Sequence, residues 1–486
     1  MIRDEDGGTE GKKICFRCIG NEFLSARVQR EGRVGICDYC EDTDDPTFTL
    51  AEMADHVATA FEKHYVRTPD QPNSMESAMQ ADRESDYAWD RQGEPVDDAI
   101  AEAASITEEA ACDIREILAE RFGDWDSAMF GEETEFCGDS YYERKSAGSG
   151  RWTREWDQFE RILKTEARFF SRQAMSHLAE LFDGLHILKA RNRTSVLAEA
   201  GPGYPISSLY RARSFPRYAD IESALARPDL HLGPPPASVA RAGRMNAHGI
   251  SVFYGASDPL VALAEVRPPV GCSVVVGRFE IIRPVTLLDL SELRDAMMIG
   301  SVFDPTYLDR LQRAAFLRQV SDRITVPVMP DDEDLGYLVT QAIADFLATI
   351  DQPEIDGIIF PSVQAKGKAR NVVLFHKSSR VRPIEVPEGT KVVVNDGFAT
   401  EDGWETDYSV YERIPPKSTE PKLDPTPPSS TPWYQVAFDP SDPDPRDFTL
   451  DVDPTSLEVH IVEGVSYKTD RNPVRRHRYE DSEPAF

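Results

Sequence analysis

Positive charge is scarce in this chain. Over 486 residues, 54 Lys and Arg stand against 85 Asp and Glu, a formal net charge of −31. Affinity for a nucleic-acid backbone depends on clustered Lys and Arg, so no nucleic-acid partner is expected. The same balance speaks against docking on an anionic membrane surface. Long apolar runs are missing as well, and none approaches the roughly 18 residues that span a bilayer. The start, Met1-Ile2-Arg3-Asp4-Glu5-Asp6, has no apolar core of the kind a secretory signal needs. These absences lead to the expectation of a cytoplasmic protein without membrane contact. Cysteine is sparse too, since seven in a chain of this length do not make a disulfide framework. No G-x-G-x-x-G or P-loop pattern occurs, so Rossmann and P-loop nucleotide binding find no support.

The acidic charge is unevenly spread. Residues 1–204 carry 24 basic and 43 acidic side chains, residues 205–385 carry 20 and 21, and residues 386–486 carry 10 and 21. A nearly neutral middle thus lies between two acidic flanks. The expected organisation is a segment with four paired cysteines over 1–45, a helical domain over 46–204, an α+β domain over 205–385 and an acidic Pro-rich tail over 386–486.

The four cysteines of the first segment are paired in sequence. Cys15-x2-Cys18 and Cys37-x2-Cys40 have the spacing of a zinc ribbon or treble-clef-like site. Each pair puts two thiolates on one side of a tight knuckle, and a short hairpin is expected to bring the knuckles together, with Gly20, Gly32 and Gly35 at the bends. Four thiolates leave no open coordination position, so the expected zinc is structural. Cys112, Cys137 and Cys272 have no such pairing and read as ordinary buried thiols.

The next stretch reads as helical. Thr49 and Glu52 form a capping-box pattern. Leu50, Met53, Val57, Phe61 and Tyr65 follow at helical spacing, with Pro69 and Pro72 expected to end the helix. Further helices are predicted over Thr107–Phe122 and, as one long stretch, over Trp152–Leu188. On the last, Arg172 and His177 have a spacing that HEPN ribonucleases use, where a cation holds phosphate and an imidazole moves a proton. The same spacing is common by chance, and a surface or interface role is the plainer reading.

In the middle segment the pattern changes. Strand-like runs occur at Ile250–Tyr254, Ser273–Phe279, Val285–Leu290, Gly357–Phe360 and Val372–His376. Helices are predicted at Pro259–Val266, Tyr307–Val320 and Leu335–Thr349. Several polar residues stand out against this apolar background. They are Arg211 in Leu209-Tyr210-Arg211-Ala212, Tyr254 at the end of a strand, Glu265 in an Ala/Leu/Val helix, Ser362 after Phe360-Pro361 and Asn371 before Val372-Val373. Any one of them, alone, reads as a salt-bridging, packing or capping residue.

Taken together and in order, these stretches resemble the RES domain, named for its Arg, Glu and Ser. The stretches that carry the resemblance are Leu209–Arg213, Gly249–Ala256, Ala262–Pro268, Asp356–Ser362 and Asn371–Phe375. The first half is similar to the HEPN/RES N-terminal domain, through the four paired cysteines, Glu62–Thr68 and Gly93-Glu94-Pro95-Val96. The resemblance implies an ADP-ribosyltransferase-like α+β fold and NAD+ as substrate. It implies an enzyme, such as the toxin of a toxin–antitoxin system, that cleaves the nicotinamide–ribose bond by phosphorolysis or hydrolysis. A protein ADP-ribosyltransferase is the related alternative, and a zinc-containing interaction protein without activity is another. Carried over, the functional residues are Arg211, Tyr254, Glu265 and Ser362, with Asn371 added as a binding residue.

The residue types suit that chemistry. A carboxylate such as Glu265 holds the ribose hydroxyls and the oxocarbenium-like charge that develops as the bond breaks. An aromatic face such as Tyr254 stacks on the flat nicotinamide cation. A guanidinium such as Arg211 grips two oxygens of the pyrophosphate. Ser362 and Asn371 orient an amide or a hydroxyl. Arg267 reads as an ion-pair partner of Glu265, while Tyr210, Arg213 and His248 receive no role. The expected partners are NAD+ and an antitoxin or regulatory protein, with room for a homo-oligomer. In the tail, 13 of the 35 prolines follow Tyr411, and Pro415-Pro416, Pro427-Pro428 and Asp442-Pro443-Asp444-Pro445 read as extended or disordered. Trp433–Phe438 and Leu457–Val462 are the runs there that suit a strand.

Overall fold

The computed structural model describes residues 9–82, 85–124, 132–325, 333–362, 369–401, 403–415, 444–466 and 469–478. It is an α+β protein with two compact units. The first comprises Met1–Val196 and Glu292–Ile324, and the second Leu197–Ser291 and Thr325–Phe486. The units do not follow the divisions at 204 and 385, because the chain leaves the second unit for 33 residues and returns. No helix among the described residues is long and apolar enough to cross a membrane.

In the first unit, helix Leu50–His64 begins as its sequence dictates. Thr49 Oγ1 accepts from the Glu52 amide at 3.2 Å, and Glu52 Oε2 accepts from the Thr49 amide at 2.8 Å. Leu50, Met53, Val57 and Phe61 are buried on one face. The helix stops at His64, before either proline. Tyr65–Arg67 leaves it to form a strand against Tyr141–Arg144, and the sheet ladder takes over the backbone hydrogen bonds. Helix Glu108–Phe122 matches its prediction and is capped by Thr107.

The long helix predicted over Trp152–Leu188 is broken. Gly150–Arg161 is α-helical, Ile162–Glu166 is a π-helical turn, and a new helix, Arg172–Leu181, starts behind Ser171, whose Oγ accepts from the Ala174 amide at 3.2 Å. The chain reverses between them, with Phe170 in left-handed backbone at φ 60°. Trp152, Trp156 and Phe159 fill a core with Phe316, whose ring lies 5.5 Å from that of Trp156. Phe316 belongs to helix Tyr307–Thr325, which was expected in the middle domain.

The second unit is built on one eight-stranded sheet. Its strands are β1 (Leu197–Ala200), β2 (Ser208–Phe215), β3 (Phe253–Ala256), β4 (Ser273–Ile281), β5 (Val285–Asp289), β6 (Gly357–Pro361), β7 (Arg370–Leu374) and β8 (Leu450–Ile461). The spatial order is β8-β4-β2-β3-β7-β6-β5-β1. All neighbours are antiparallel except β5 and β6. Strand β2 runs beside β4 through eight registered pairs, and β3 beside β7 through four. Between β2 and β3 the register holds one pair alone, Tyr210 opposite Ala256. The sheet is therefore two half-sheets, β8-β4-β2 and β3-β7-β6-β5-β1, sewn at a single point.

Alternation gives each face its own core. Leu209, Phe253, Val275, Phe279, Val372 and Leu374 form one. Ala212, Ala256, Val274 and Val276 form the other, beneath Val261 and Ala262 of helix Pro259–Val266. That helix is defined at both ends. Asp258 Oδ1 accepts from the Leu260 amide at 2.8 Å, Pro259 occupies the first turn, and Arg267 ends it in left-handed backbone at φ 47°.

The tail departs from its expectation in one place and extends it in another. Residues 391–413, within the stretch read as tail, form a hairpin of Lys391–Thr400 with Gly403–Arg413. Leu450–Ile461 is the outer strand β8, paired with β4 along its length. Hydrophobic burial decides this, because Leu450 is wholly buried and Val452 nearly so. The run Trp433–Phe438 and the prolines at 427, 428 and 443 lie outside the described residues. Replacing Leu450 by Ala should cost about 2–5 kcal/mol. Denaturant unfolding will show it, and a dispensable tail would leave the midpoint unchanged.

Candidate functional site

The candidate site lies at the seam where β2 and β3 part. Asn371 is registered opposite both Ala256 and Phe360, so it shares a face with helix Pro259–Val266. That helix carries Glu265 near its end. The Ser362 hydroxyl donates to Glu265 Oε1 at 2.6 Å, and Asn371 Nδ2 donates to the same oxygen at 2.8 Å. Asn371 is buried, whereas Glu265 is exposed. One carboxylate oxygen is thus pinned by two donors from two parts of the sheet. The other, Oε2, has no hydrogen-bond partner among the described residues. Arg267, expected beside Glu265, instead terminates the helix, and the carboxylate is held by a hydroxyl and an amide.

Tyr254 stands on the same face as Asn371, two residues along β3 from Ala256. Its hydroxyl donates to Asn246 Oδ1 at 2.9 Å and accepts from the Met245 amide at 2.9 Å. These contacts fasten the loop of residues 241–250, which Gln341 Nε2 also holds through the Gly243 carbonyl at 2.8 Å. Burial pushes the Tyr254 phenol up to about 12, although the Met245 amide and the charges of Arg244 and Arg211 work in the other direction.

Arg211 alternates to the opposite face of β2 from Tyr210 and lies over the Phe253 ring, with Cζ 4.8 Å from the centroid. Its Nη1 is closed off from solvent and has no hydrogen-bond partner. Burial, aided by the nearby charge of Arg213, pushes the guanidinium down to about 9, which still leaves it charged at neutral pH. A buried cationic nitrogen without an acceptor is costly unless an anion completes it. The structure therefore brings Glu265, Ser362 and Asn371 into direct contact, places Tyr254 on the same face of the sheet, and sets Arg211 on the other face, over Phe253. Asn246 and Phe253 have no motif that could have singled them out, because their roles come from the fold.

The four paired cysteines also converge. Their Sγ atoms all lie within 4.8 Å of one another, with separations of 3.6 Å for Cys15 to Cys18, 3.5 Å for Cys15 to Cys40 and 3.8 Å for Cys18 to Cys37. A tetrahedral ion with sulfur ligands at about 2.3 Å requires edges of about 3.8 Å, so the cluster fits a metal ion of that size. Burial pushes the Cys15 and Cys18 thiols up. Burial acts the same way on Cys37, but the Tyr39, Cys15 and Cys40 amides outweigh it and hold that thiol below its ordinary value. The knuckles are joined by helix Glu22–Glu31 rather than by the expected hairpin. Leu24 and Val28, one turn apart and fully buried, dictate it, and Asn21 caps it. Ile14, Ile19, Leu24, Val28 and Phe48 share one core with helix Leu50–His64, so the cysteine segment is continuous with the helical unit.

Arg172 and His177 do not converge. Five residues of helix separate them by about 140°. Arg172 is exposed at the first turn, and His177 is buried among Trp152, Trp156 and Phe159. Its Nδ1 lies 3.5 Å from Glu155, and its Nε2 has no partner. Burial pushes its pKa down, which favours a neutral, structural imidazole.

Two family models match the chain. Residues 208–393 match the RES domain, and residues 30–177 match the HEPN/RES N-terminal domain 1. The chain is a RES-domain protein with a HEPN/RES N-terminal domain ahead of it. RES domains are in general associated with enzymes that use NAD+. No curated protein and no solved structure matches the chain.

The Tyr254 contacts generate a prediction. Tyr254→Phe removes one donated and one accepted hydrogen bond, each worth about 0.5–1.5 kcal/mol. Because the folded phenol binds its proton more tightly than the unfolded one, its contribution is complete below pH 10 and fades as pH rises towards 12. The stability gap between wild type and variant, measured by urea unfolding, should narrow over that window.

Proposed function

We propose that this protein cleaves the nicotinamide–ribose bond of NAD+, with phosphate or water as acceptor, and that it acts as a toxin or defence effector. The observation that carries the reading is the pinned carboxylate of Glu265, with one oxygen fixed by Ser362 and Asn371 and the other open. When the glycosidic bond breaks, its electron pair goes to the pyridinium nitrogen and nicotinamide leaves neutral, so no general acid is required. The ribose is left oxocarbenium-like. A carboxylate already held by two donors need not reorganise to stabilise that charge, which is how preorganised sites lower a barrier. Phosphate or water then adds at the anomeric carbon, and water loses a proton to solvent in doing so. Tyr254 offers an aromatic face beside the carboxylate, and the uncompensated guanidinium of Arg211 supplies the charge that a diphosphate needs. Transfer of ADP-ribose to a protein side chain uses the same residues with a different acceptor.

The purified protein should release nicotinamide from NAD+, and Glu265→Gln should lower the rate at least about 100-fold, the scale seen when a charge-stabilising group is removed. Its thermal midpoint should stay that of wild type. Running the assay with and without inorganic phosphate identifies the acceptor, and covalent label on protein would indicate transfer. No nicotinamide under any of these conditions would sink the proposal.

We also propose that the four cysteines hold a structural zinc ion. Four thiolates at these separations repel one another unless a cation lies between them, and all four positions are taken by protein ligands. Since the cluster shares its core with helix Leu50–His64, a chelator or Cys37→Ser should lower the melting temperature of the protein by several degrees. One zinc per chain by elemental analysis, lost in the variant, is the matching readout. A metal-free protein with the same melting curve would rule the ion out.

A further inference from the structure

Arg370 is a meeting point of the elements that build the candidate site, and it stands next to Asn371 in sequence. Neighbours on a strand alternate between faces. Asn371 therefore looks toward Glu265, while Arg370 looks to the other face of the sheet. There its Nη1 donates to Asp289 Oδ2 at 3.0 Å. Asp289 ends β5, registered beside Ile359 of β6, and Arg370 is registered opposite Pro361 of the same strand. The ion pair thus crosses β6 and ties β7 to β5. The Asp289 side chain is only 2% exposed, so its charge is sealed from water and needs the cation. The Ser291 amide donates to the other oxygen, Oδ1, at 2.8 Å. The backbone of Arg370 makes further ties. Its partner Pro361 is the residue before Ser362, and the two close the β6–β7 ladder. The Arg370 carbonyl accepts from the Ser257 amide at 2.9 Å, and the Arg370 amide donates to Ser257 Oγ at 3.2 Å. Ser257 precedes Asp258, the cap of the helix that carries Glu265. One residue therefore joins the elements that supply Ser362, Asn371 and Glu265.

Stability is a weak reason for such a pair, since buried ion pairs can often be exchanged for apolar side chains without loss. Position is a stronger one. Ser362 and Asn371 meet a single oxygen, Glu265 Oε1, at 2.6 and 2.8 Å. A shift of either strand end therefore releases the carboxylate. We propose that the Arg370–Asp289 pair is a clamp on the far face of the sheet that positions Ser362 and Asn371 for Glu265. The proposal rests on the NAD+ reading above. Arg370 and Asp289 are positioning residues, because they face away from the carboxylate and act through its two donors. The clamp acts on the rate of bond breaking and leaves substrate binding alone.

The test is nicotinamide release by the full chain carrying Asp289→Asn, which keeps the shape and drops the charge. Its kcat should fall about 10- to 100-fold, the scale of a misplacement of up to an ångström. KM for NAD+ should stay within about twofold, as expected when binding is untouched. Arg370→Gln should behave alike. Arg370→Lys, which keeps the charge, should lie between it and wild type, and is read in the same way if Asp289→Asn does not fold. In a Glu265→Ala background no carboxylate is left to place, so Asp289→Asn should change the residual rate less than about twofold. A pair that only stabilises the fold would lower the melting temperature and leave kcat of the folded protein as in wild type, which overturns the proposal. A loss that multiplies in full with that of Glu265→Ala overturns it too. Crystal structures of the variants supply the second measurement. At least one hydrogen bond to Glu265 Oε1 should be broken, and both at wild-type length would overturn the clamp whatever the rate. If wild type releases no nicotinamide, the NAD+ reading has failed, and those structures alone decide the clamp.

Discussion

The second unit depends on one constraint, the single registered pair Tyr210–Ala256 that joins its two half-sheets. Ladder hydrogen bonds normally continue along neighbouring strands, because every unpaired backbone amide inside a protein is a liability. Here β2 satisfies itself against β4, and β3 against β7, so they are free to part from each other. The candidate residues gather around that parting. Glu265, Asn371, Tyr254 and Arg211 all belong to elements that flank it.

Much of this was legible in the sequence, and the reason differs from element to element. Helix Leu50–His64 was readable because its capping box and apolar stripe agree, and local signals that agree are seldom overridden. The polar residues of the seam were readable because each interrupts an apolar segment that packing alone would have kept apolar. The four cysteines announced themselves by spacing. What escaped is what depends on distant parts of the chain. The helix between the knuckles, the break at Phe170 and the strand at Leu450–Ile461 are tertiary decisions. Of the last, the end at Leu457–Val462 was readable as a strand, but the acidic stretch from Leu450 gives no local hint of the core it completes. Tyr307–Thr325 was recognised as a helix within the RES-domain stretch, but its packing with the first compact unit was not, because sequence order says nothing about which hydrophobic face a helix will find.

The charge distribution gains a physical meaning from the ion pairs. In the second unit Arg227, Arg370, Arg283 and Arg278 are neutralised in place by Asp229, Asp289, Asp356 and Asp453, whereas Arg211 and Arg213 have no carboxylate within ion-pair distance among the described residues. Near-neutrality over residues 205–385 is therefore only in part a matter of local pairing. The first unit also pairs many of its arginines, Arg91 with Glu133 at 2.7 Å and Arg115 with Asp97 at 3.1 Å among them, around a core that is mostly aliphatic.

The outer strand β8 has a consequence for how the protein is made. Residues 450–461 close the free edge of β4, and Phe316 of a returning segment completes the tryptophan core of the first unit. Neither unit can finish folding from the residues that begin it. During synthesis, β4 waits with an open edge and exposed valines until β8 has been made. A chain cut short between Phe375 and Leu450 carries every residue of the candidate site yet lacks the strand that braces β4, and β4 is the neighbour on which β2 and its arginines lean. Competence thus arrives late in translation, and truncated products of this chain are left without a completed site.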